Sequence, residues 1–213
     1  MKTIRYALVS DGSSDRMLMP ILDWLLQRHC PEFAVQPEWA DLARLPRLPR
    51  TLTEKVESAL DLCHPCDLLF IHRDAERENP ETRYVEISSA LERVATPPVV
   101  CVIPVKMQEA WLLFDEVAIR KAAGNPSGRT RLELPALVSV ERLPNPKQVL
   151  FDLLSQASEF SGTRLKRFKR DQYRTVHLVS KNIDDFSPLF VVPAFQRLEQ
   201  ELLTAIRQQG WYA

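Results

Sequence analysis

Three apolar runs, each followed by residues at helical spacing, restrict what this chain can fold into more than any other feature. The runs are Ile4 to Val9, Asp67 to His72 and Val99 to Val105. Strands that are apolar on both faces need cover on both, the condition of a parallel sheet between layers of helices. After the first run Met17, Leu18, Ile21, Leu22, Leu25 and Leu26 recur on one helical face, with Pro20 in the tolerated first turn. Phe33 to Pro37 reads as a short extended segment, an edge strand on account of its proline. Ala43 to Pro49 reads as an exposed loop. Thr51 to Cys63 predicts an amphipathic helix that turns Leu52, Val56, Ala59, Leu60 and Leu62 inward, and 80–94 predicts another. Glu109 to Phe114 is most simply helical as well. The order β-α-β-α-β-α-β-α predicts an α/β fold, a mostly parallel sheet of about four strands flanked by helices.

The second half of the chain loses this alternation. Pro, Gly, Ser and Asn accumulate from Gly124 to Pro146, which reads as an excursion or lid segment. Helices are expected over Pro146 to Leu154 and Pro193 to Ile206, the latter with Phe195, Leu198, Leu202, Leu203 and Ile206 on one face. The expected organisation is an α/β core over 1–115 and a mainly helical extension over 116–213 that packs on it. At 213 residues, 45% hydrophobic and 26% charged, the chain is long enough for one sizeable core. A net charge of +0 means that any nucleic-acid partner needs a local basic patch rather than a global field. No apolar run nears the roughly 20 residues that span a bilayer. The first residues enter a strand directly, without a signal peptide's regions, and the 4 cysteines are irregularly placed. These features predict a cytoplasmic protein with no membrane partner.

Carboxylates gather at the ends of the apolar runs. Asp11 and Asp15 follow the first, Asp74 and Glu76 the second, and Glu109 lies just past the third. Parallel neighbours would bring these acids to one edge of the sheet, where open α/β folds place their ligands. Carboxylates without His or Cys partners suit a hard cation such as Mg²⁺ or Mn²⁺, and such an ion serves phosphoryl transfer. The competing reading is that acids end strands and cap helices everywhere, as Asp15 is placed to do. His72, two residues before Asp74, is either an acid or base near phosphate or a hydrogen-bonded strand end. Arg73 between them is a candidate clamp for a phosphoryl oxygen.

The same residues carry a resemblance. Asp11-Gly12-Ser13-Ser14-Asp15 resembles the Glu-Gly-x-Ser-Asp opening of a Toprim domain, the core shared by topoisomerases and primases. Asp74-Ala75-Glu76 resembles the Asp-x-Asp after that family's third strand. Glu109-Ala110-Trp111-Leu112-Leu113, with Asp115 beyond, is similar to a Glu-x-Trp-hydrophobic element of a Toprim-like family found among bacterial and phage-defence genes. The tail from Ser187-Pro188-Leu189 to Phe195 is similar to that family's ending. The resemblance spans residues 1–115 and touches the rest weakly. It implies a Toprim-like fold, dependence on Mg²⁺ (or Mn²⁺), and a nuclease that hydrolyses phosphodiesters in DNA or RNA. On it, Asp11, Asp74 and Glu76 bind metal, and Glu109 supports them or a second ion. Metal-activated water is the simpler nucleophile, because nothing singles out an attacking tyrosine. Asp11 stands where the family has Glu and Glu76 where it has a second Asp, so one arm is a methylene shorter and the other a methylene longer. The alternative is a non-catalytic Toprim-like scaffold that binds nucleic acid or a partner ATPase.

A second constellation is basic. Arg164, Lys166, Arg167, Lys169, Arg170 and Arg174 place six cations within eleven positions, interleaved with Phe168 and Tyr173. The pattern suits a groove that tracks phosphates while rings stack on bases, and a solvated helix face is the competing reading. Arg44, Arg47, Arg50 and Lys181 are candidates to extend it. Cys63-His64-Pro65-Cys66 has the form of a zinc or disulfide motif. It lacks a second ligand pair, however, and sits between a helix end and a strand rather than at a helix N-terminus, so structural cysteines are expected. Trp111 and Phe114, beside Leu112 and Leu113, read as core. No Walker loop, Gly-x-Gly-x-x-Gly or Gly-x-Ser-x-Gly elbow occurs, which argues against a P-loop ATPase, a Rossmann dinucleotide site and a serine hydrolase.

Overall fold

In the computed structural model, which describes residues 2–76 and 78–211, the apolar runs pair side by side. Strands β1 (Lys2–Val9), β2 (Phe33–Trp39), β3 (Leu68–His72) and β4 (Val99–Val102) form one sheet in the order β2-β1-β3-β4. Every pair is parallel, as the alternation predicts. β3 is buried at each position and takes a central place. β2 takes an edge, where the missing N–H of Pro37 costs least.

The crossovers are α1 (Met19–His29), α2 (Leu52–Leu62) and α3 (Pro80–Leu91). α2 starts where the Thr51 hydroxyl accepts the Glu54 N–H at 3.1 Å. α3 starts where the Asn79 side chain accepts the Glu81 N–H at 3.0 Å, with Pro80 in the first turn. Alternate strand residues then sort onto the two faces. Ala7, Val9, Leu69 and Ile71 join Val56 and Ala59 of α2 and Ile87 of α3 in one cluster. On the opposite face Tyr6 and Phe70 meet edge to face at 5.1 Å. The Tyr6 hydroxyl there donates to Asp23 of α1 at 2.8 Å.

The chain divides into two compact units, Met1–Ile103 with Arg197–Ala213, and Pro104–Gln196. The expected division near residue 115 therefore compares with one just after β4, where the chain leaves the sheet. It returns through α8 (Pro193–Gln209), whose residues from Arg197 belong to the first unit. Glu201 of α8 accepts the Cys101 N–H on the free edge of β4 at 3.0 Å, and Glu199 meets His29 at 2.9 Å. A side chain thus occupies an edge donor that would otherwise be open to another strand.

The second unit is helical: α4 (Glu116–Ala122), α5 (Pro146–Ser158), α6 (Gly162–Arg170) and α7 (Gln172–Lys181). The segment expected as a helix over Glu109 to Phe114 is a 3-10 helix, Gln108–Leu112. Asp115 starts a new helix directly after it by accepting the Ala118 N–H at 2.9 Å, which leaves little length for i to i+4 bonding. Trp111 is core, as expected, and lies edge to face on Phe195 at 5.4 Å. The excursion holds only a short 3-10 helix, Leu137–Arg142. Gly124, at φ +75°, ends α4. The loop is tied down by Glu159, whose carboxylate accepts the N–H groups of Arg129 at 2.6 Å and Thr130 at 2.7 Å. Those two bonds, Thr130's first, hold its carboxyl down at about 2. Among the described residues no helix is long and apolar enough to cross a membrane.

Candidate functional site

Because β1 and β3 are adjacent and parallel, their C-terminal ends deliver Asp11 and Asp74 to the same edge of the sheet. Asp11 does not face solvent alone. Its Oδ1 accepts from Lys55 Nζ of α2 at 2.6 Å, and its Oδ2 accepts from Arg73 Nη1 at 2.5 Å. Partial burial by itself would raise the Asp11 carboxyl. The Lys55 hydrogen bond and the charges of Arg73 and Lys55 outweigh that and leave it below its ordinary value. Arg73 also reaches Glu86 of α3 at 2.9 Å, so the guanidinium links two carboxylates from different elements.

His72 is buried, and its Nδ1 lies 2.9 Å from the Val102 carbonyl oxygen. A carbonyl only accepts, so the proton sits on Nδ1 and Nε2 is turned toward Asp74 Oδ1, 3.6 Å away. The imidazole joins the ends of β3 and β4, which favours the hydrogen-bonded strand end over an acid or base exposed to a bulky substrate. Asp74 is partly exposed, and its backbone carbonyl accepts from Arg83 Nε at 3.1 Å. Glu76 is exposed on a left-handed residue at φ 55°, and its charge adds slightly to the Glu86 hydrogen bond that raises the pKa of Arg83. Asp15 is buried, and its carboxylate accepts the Gly12 N–H at 3.1 Å, the capping role expected of it. Glu109 belongs to the second unit, buried in its 3-10 helix with Lys147 Nζ at 3.7 Å.

These residues do not, as arranged, fit a divalent cation. Both Asp11 oxygens are engaged by cationic side chains, and among the described residues no group of three or more His, Cys, Asp or Glu side chains is placed to hold a metal. The cysteine motif offers no alternative centre. Burial, with Glu38 and Cys66 adding to it, pushes the Cys63 thiol up to about 12, and Cys66 Sγ donates to the Leu68 carbonyl at 3.1 Å. Lys55 carries no sequence signal of its role, because an amphipathic helix exposes many lysines and only docking shows which one meets Asp11.

The basic constellation falls on α6 and the start of α7. Arg164, Lys166, Arg167, Lys169, Arg170 and Arg174 are all exposed, and among the described residues none of them is in an ion pair. Leu165 and Phe168 are the half-buried positions of α6. Phe168 packs edge to face on Phe160 at 5.7 Å, and the Arg164 guanidinium lies over Phe160 at 4.3 Å. Of the two rings expected to stack on bases, Phe168 is therefore largely committed to packing. Tyr173, 62% exposed, keeps a face toward solvent while its ring meets Phe151 at 5.1 Å and Lys147 at 5.0 Å.

Compared with protein-family models, with curated proteins and with solved structures, the chain matches none.

Proposed function

We propose that this protein binds nucleic acid, with α6 and the start of α7 as the contact and the parallel sheet as a Toprim-like scaffold. One observation carries the reading: α6 displays five cations over nine residues, all exposed and, among the described residues, none ion-paired. Arg164 with Arg167, Lys166 with Lys169, Lys166 with Arg170 and Arg167 with Arg170 are like-charged neighbours on the helix surface. Each such pair costs a few tenths of a kcal/mol, on the order of 0.2–0.5, in the free protein. A polyanion that neutralises them relieves this repulsion and releases its own counterions. The free thiols of Cys30, Cys63, Cys66 and Cys101 support a place in the reducing cytoplasm.

The test is salt dependence. Five phosphate contacts to a single strand give a slope of log K against log salt of about −3.5, roughly a hundredfold loss between about 50 and 200 mM. Anisotropy of a labelled single-stranded oligonucleotide, titrated with protein across that range, measures it. A flat dependence would remove the reading.

Phosphodiester hydrolysis with Mg²⁺ or Mn²⁺ is the second reading, favoured by the arrival of Asp11 and Asp74 at one sheet edge. It stands second because the engaged Asp11 oxygens do not fit the ion. Calorimetric titration of Mg²⁺ and Mn²⁺ in the presence of an oligonucleotide, with Asp74→Asn alongside, separates the two. On the first reading neither protein shows saturable metal binding. Saturable binding lost in the variant would put hydrolysis first.

A further inference from the structure

The ends of β1 and β2, the segment after β2, Arg16 and Lys55 of α2 line an open cavity of about 550 Å³, all of its lining in the first unit. That volume lies in the range of small-molecule sites. Its walls differ in chemistry. One is flat and apolar: the indole of Trp39, the last residue of β2, with Leu42, Leu48 and Pro49 from the following segment. The ring is fixed in place, because its N–H donates to Ser10 Oγ at 3.1 Å. Leu48, 62% exposed, leaves apolar surface open to solvent. The other wall is polar and carries both signs of charge, with Asp11 held by Lys55 and Asp41 held by Arg44, which leaves Arg16 as its unpaired cation among the described residues. The Arg16 guanidinium lies over one face of the Trp39 ring, 5.4 Å from its centroid, Ser13 lies on the same lining, and Lys55 reaches the cavity while holding Asp11.

Arg16 decides the ligand class. It is exposed, and among the described residues it forms no ion pair, yet the indole holds it at the cavity rather than free in solvent. A guanidinium with no counter-ion asks for an anion, best a phosphate or carboxylate with paired oxygens. A half-buried indole with leucine and proline on the same lining favours a planar apolar ring. A bare phosphate leaves the aromatic wall unused, and an apolar ligand leaves the charge unused. A ligand that carries a planar ring and a phosphate some ångströms apart uses both.

We propose that this cavity binds a nucleoside phosphate, the base against Trp39 and the phosphate on Arg16. The ligand's source is a free nucleotide or the end of a strand. The proposal shares the ligand class of the nucleic-acid reading but none of its residues.

The experiment is calorimetric titration of the full-length protein with adenosine, inorganic phosphate, adenosine monophosphate and a 5′-phosphorylated dinucleotide. The nucleotide is expected to bind saturably and more tightly than adenosine or phosphate alone. Arg16→Ala, a change at an exposed position, should weaken the nucleotide by about tenfold while leaving adenosine unchanged. Trp39→Ala should weaken nucleotide and adenosine alike, by roughly tenfold. Tighter binding of the dinucleotide supports the site as a strand-end pocket, and tighter binding of the mononucleotide supports it as a free-nucleotide pocket. No saturable nucleotide binding, or binding that Arg16→Ala leaves unchanged, overturns the proposal. Protein neutralised along α6 should keep its mononucleotide affinity, so failure here and failure of the α6 reading have different signatures.

Discussion

Alanine at Trp111 is expected to destabilise the protein by about 3–5 kcal/mol, the range for deleting a large aromatic from a packed core. The side chain is 0% exposed, so the whole indole becomes a void unless its neighbours collapse. It also forfeits the edge-to-face contact with Phe195 at 5.4 Å. Phenylalanine at the same position should cost much less, for a reason particular to this site. Among the described residues the buried Trp111 Nε1 has no hydrogen-bond partner, so Phe removes an unsatisfied donor while it gives up volume. Urea denaturation followed by far-ultraviolet circular dichroism measures both variants. A loss below about 1 kcal/mol for the alanine variant would mean that the surrounding side chains close over the space.

Glutamine at Arg164, Lys166, Arg167, Lys169 and Arg170 together should weaken oligonucleotide binding roughly a thousandfold at low salt, and should flatten the salt dependence nearly to zero. The fold should survive. The five side chains are exposed, none is in an ion pair among the described residues, and glutamine matches lysine and arginine in helix propensity. Removing four like-charged neighbour pairs should, if anything, raise the melting temperature slightly. Thermal melts beside the binding titrations separate lost contact from lost structure. Unchanged affinity in the neutralised protein would return α6 to the solvated helix face that its sequence also allowed.

Much of the architecture was legible because apolar periodicity is a local property. Leu68 to Ile71 is apolar without a break, and that alone requires cover on both faces, which a central parallel strand supplies. Pro37 announced an edge, and β2 is one. The segment after Met107 was read less well. Helical spacing in Glu109 to Phe114 does not distinguish an α-helix from the tighter 3-10 turn that precedes the cap at Asp115. The Trp111 environment was readable from Leu112 and Leu113 beside it, since a large ring among leucines gains most from burial.

The candidate site shows the same division more sharply. Residue order alone placed Asp11 and Asp74 at strand ends, and parallel pairing of β1 with β3 then brings them to one edge. Whether two carboxylates at an edge attract a cation depends on what else arrives there. Lys55 comes from a helix 44 residues further along and Arg73 from the neighbouring strand end, and both settle on Asp11. Glu109, adjacent to the others in the pattern of the sequence, belongs to a different compact unit. The cavity beside Trp39 had no signature at all, because its walls are drawn from strand ends, a loop and two helices that have no common period. The sequence by itself determined the parallel α/β class, the acids at strand ends and the basic segment, since each follows from the order and spacing of side chains along the chain. Only the tertiary structure decided which charges meet, because a contact between distant residues depends on how helices dock on the sheet, and docking is decided by packing that no local pattern encodes.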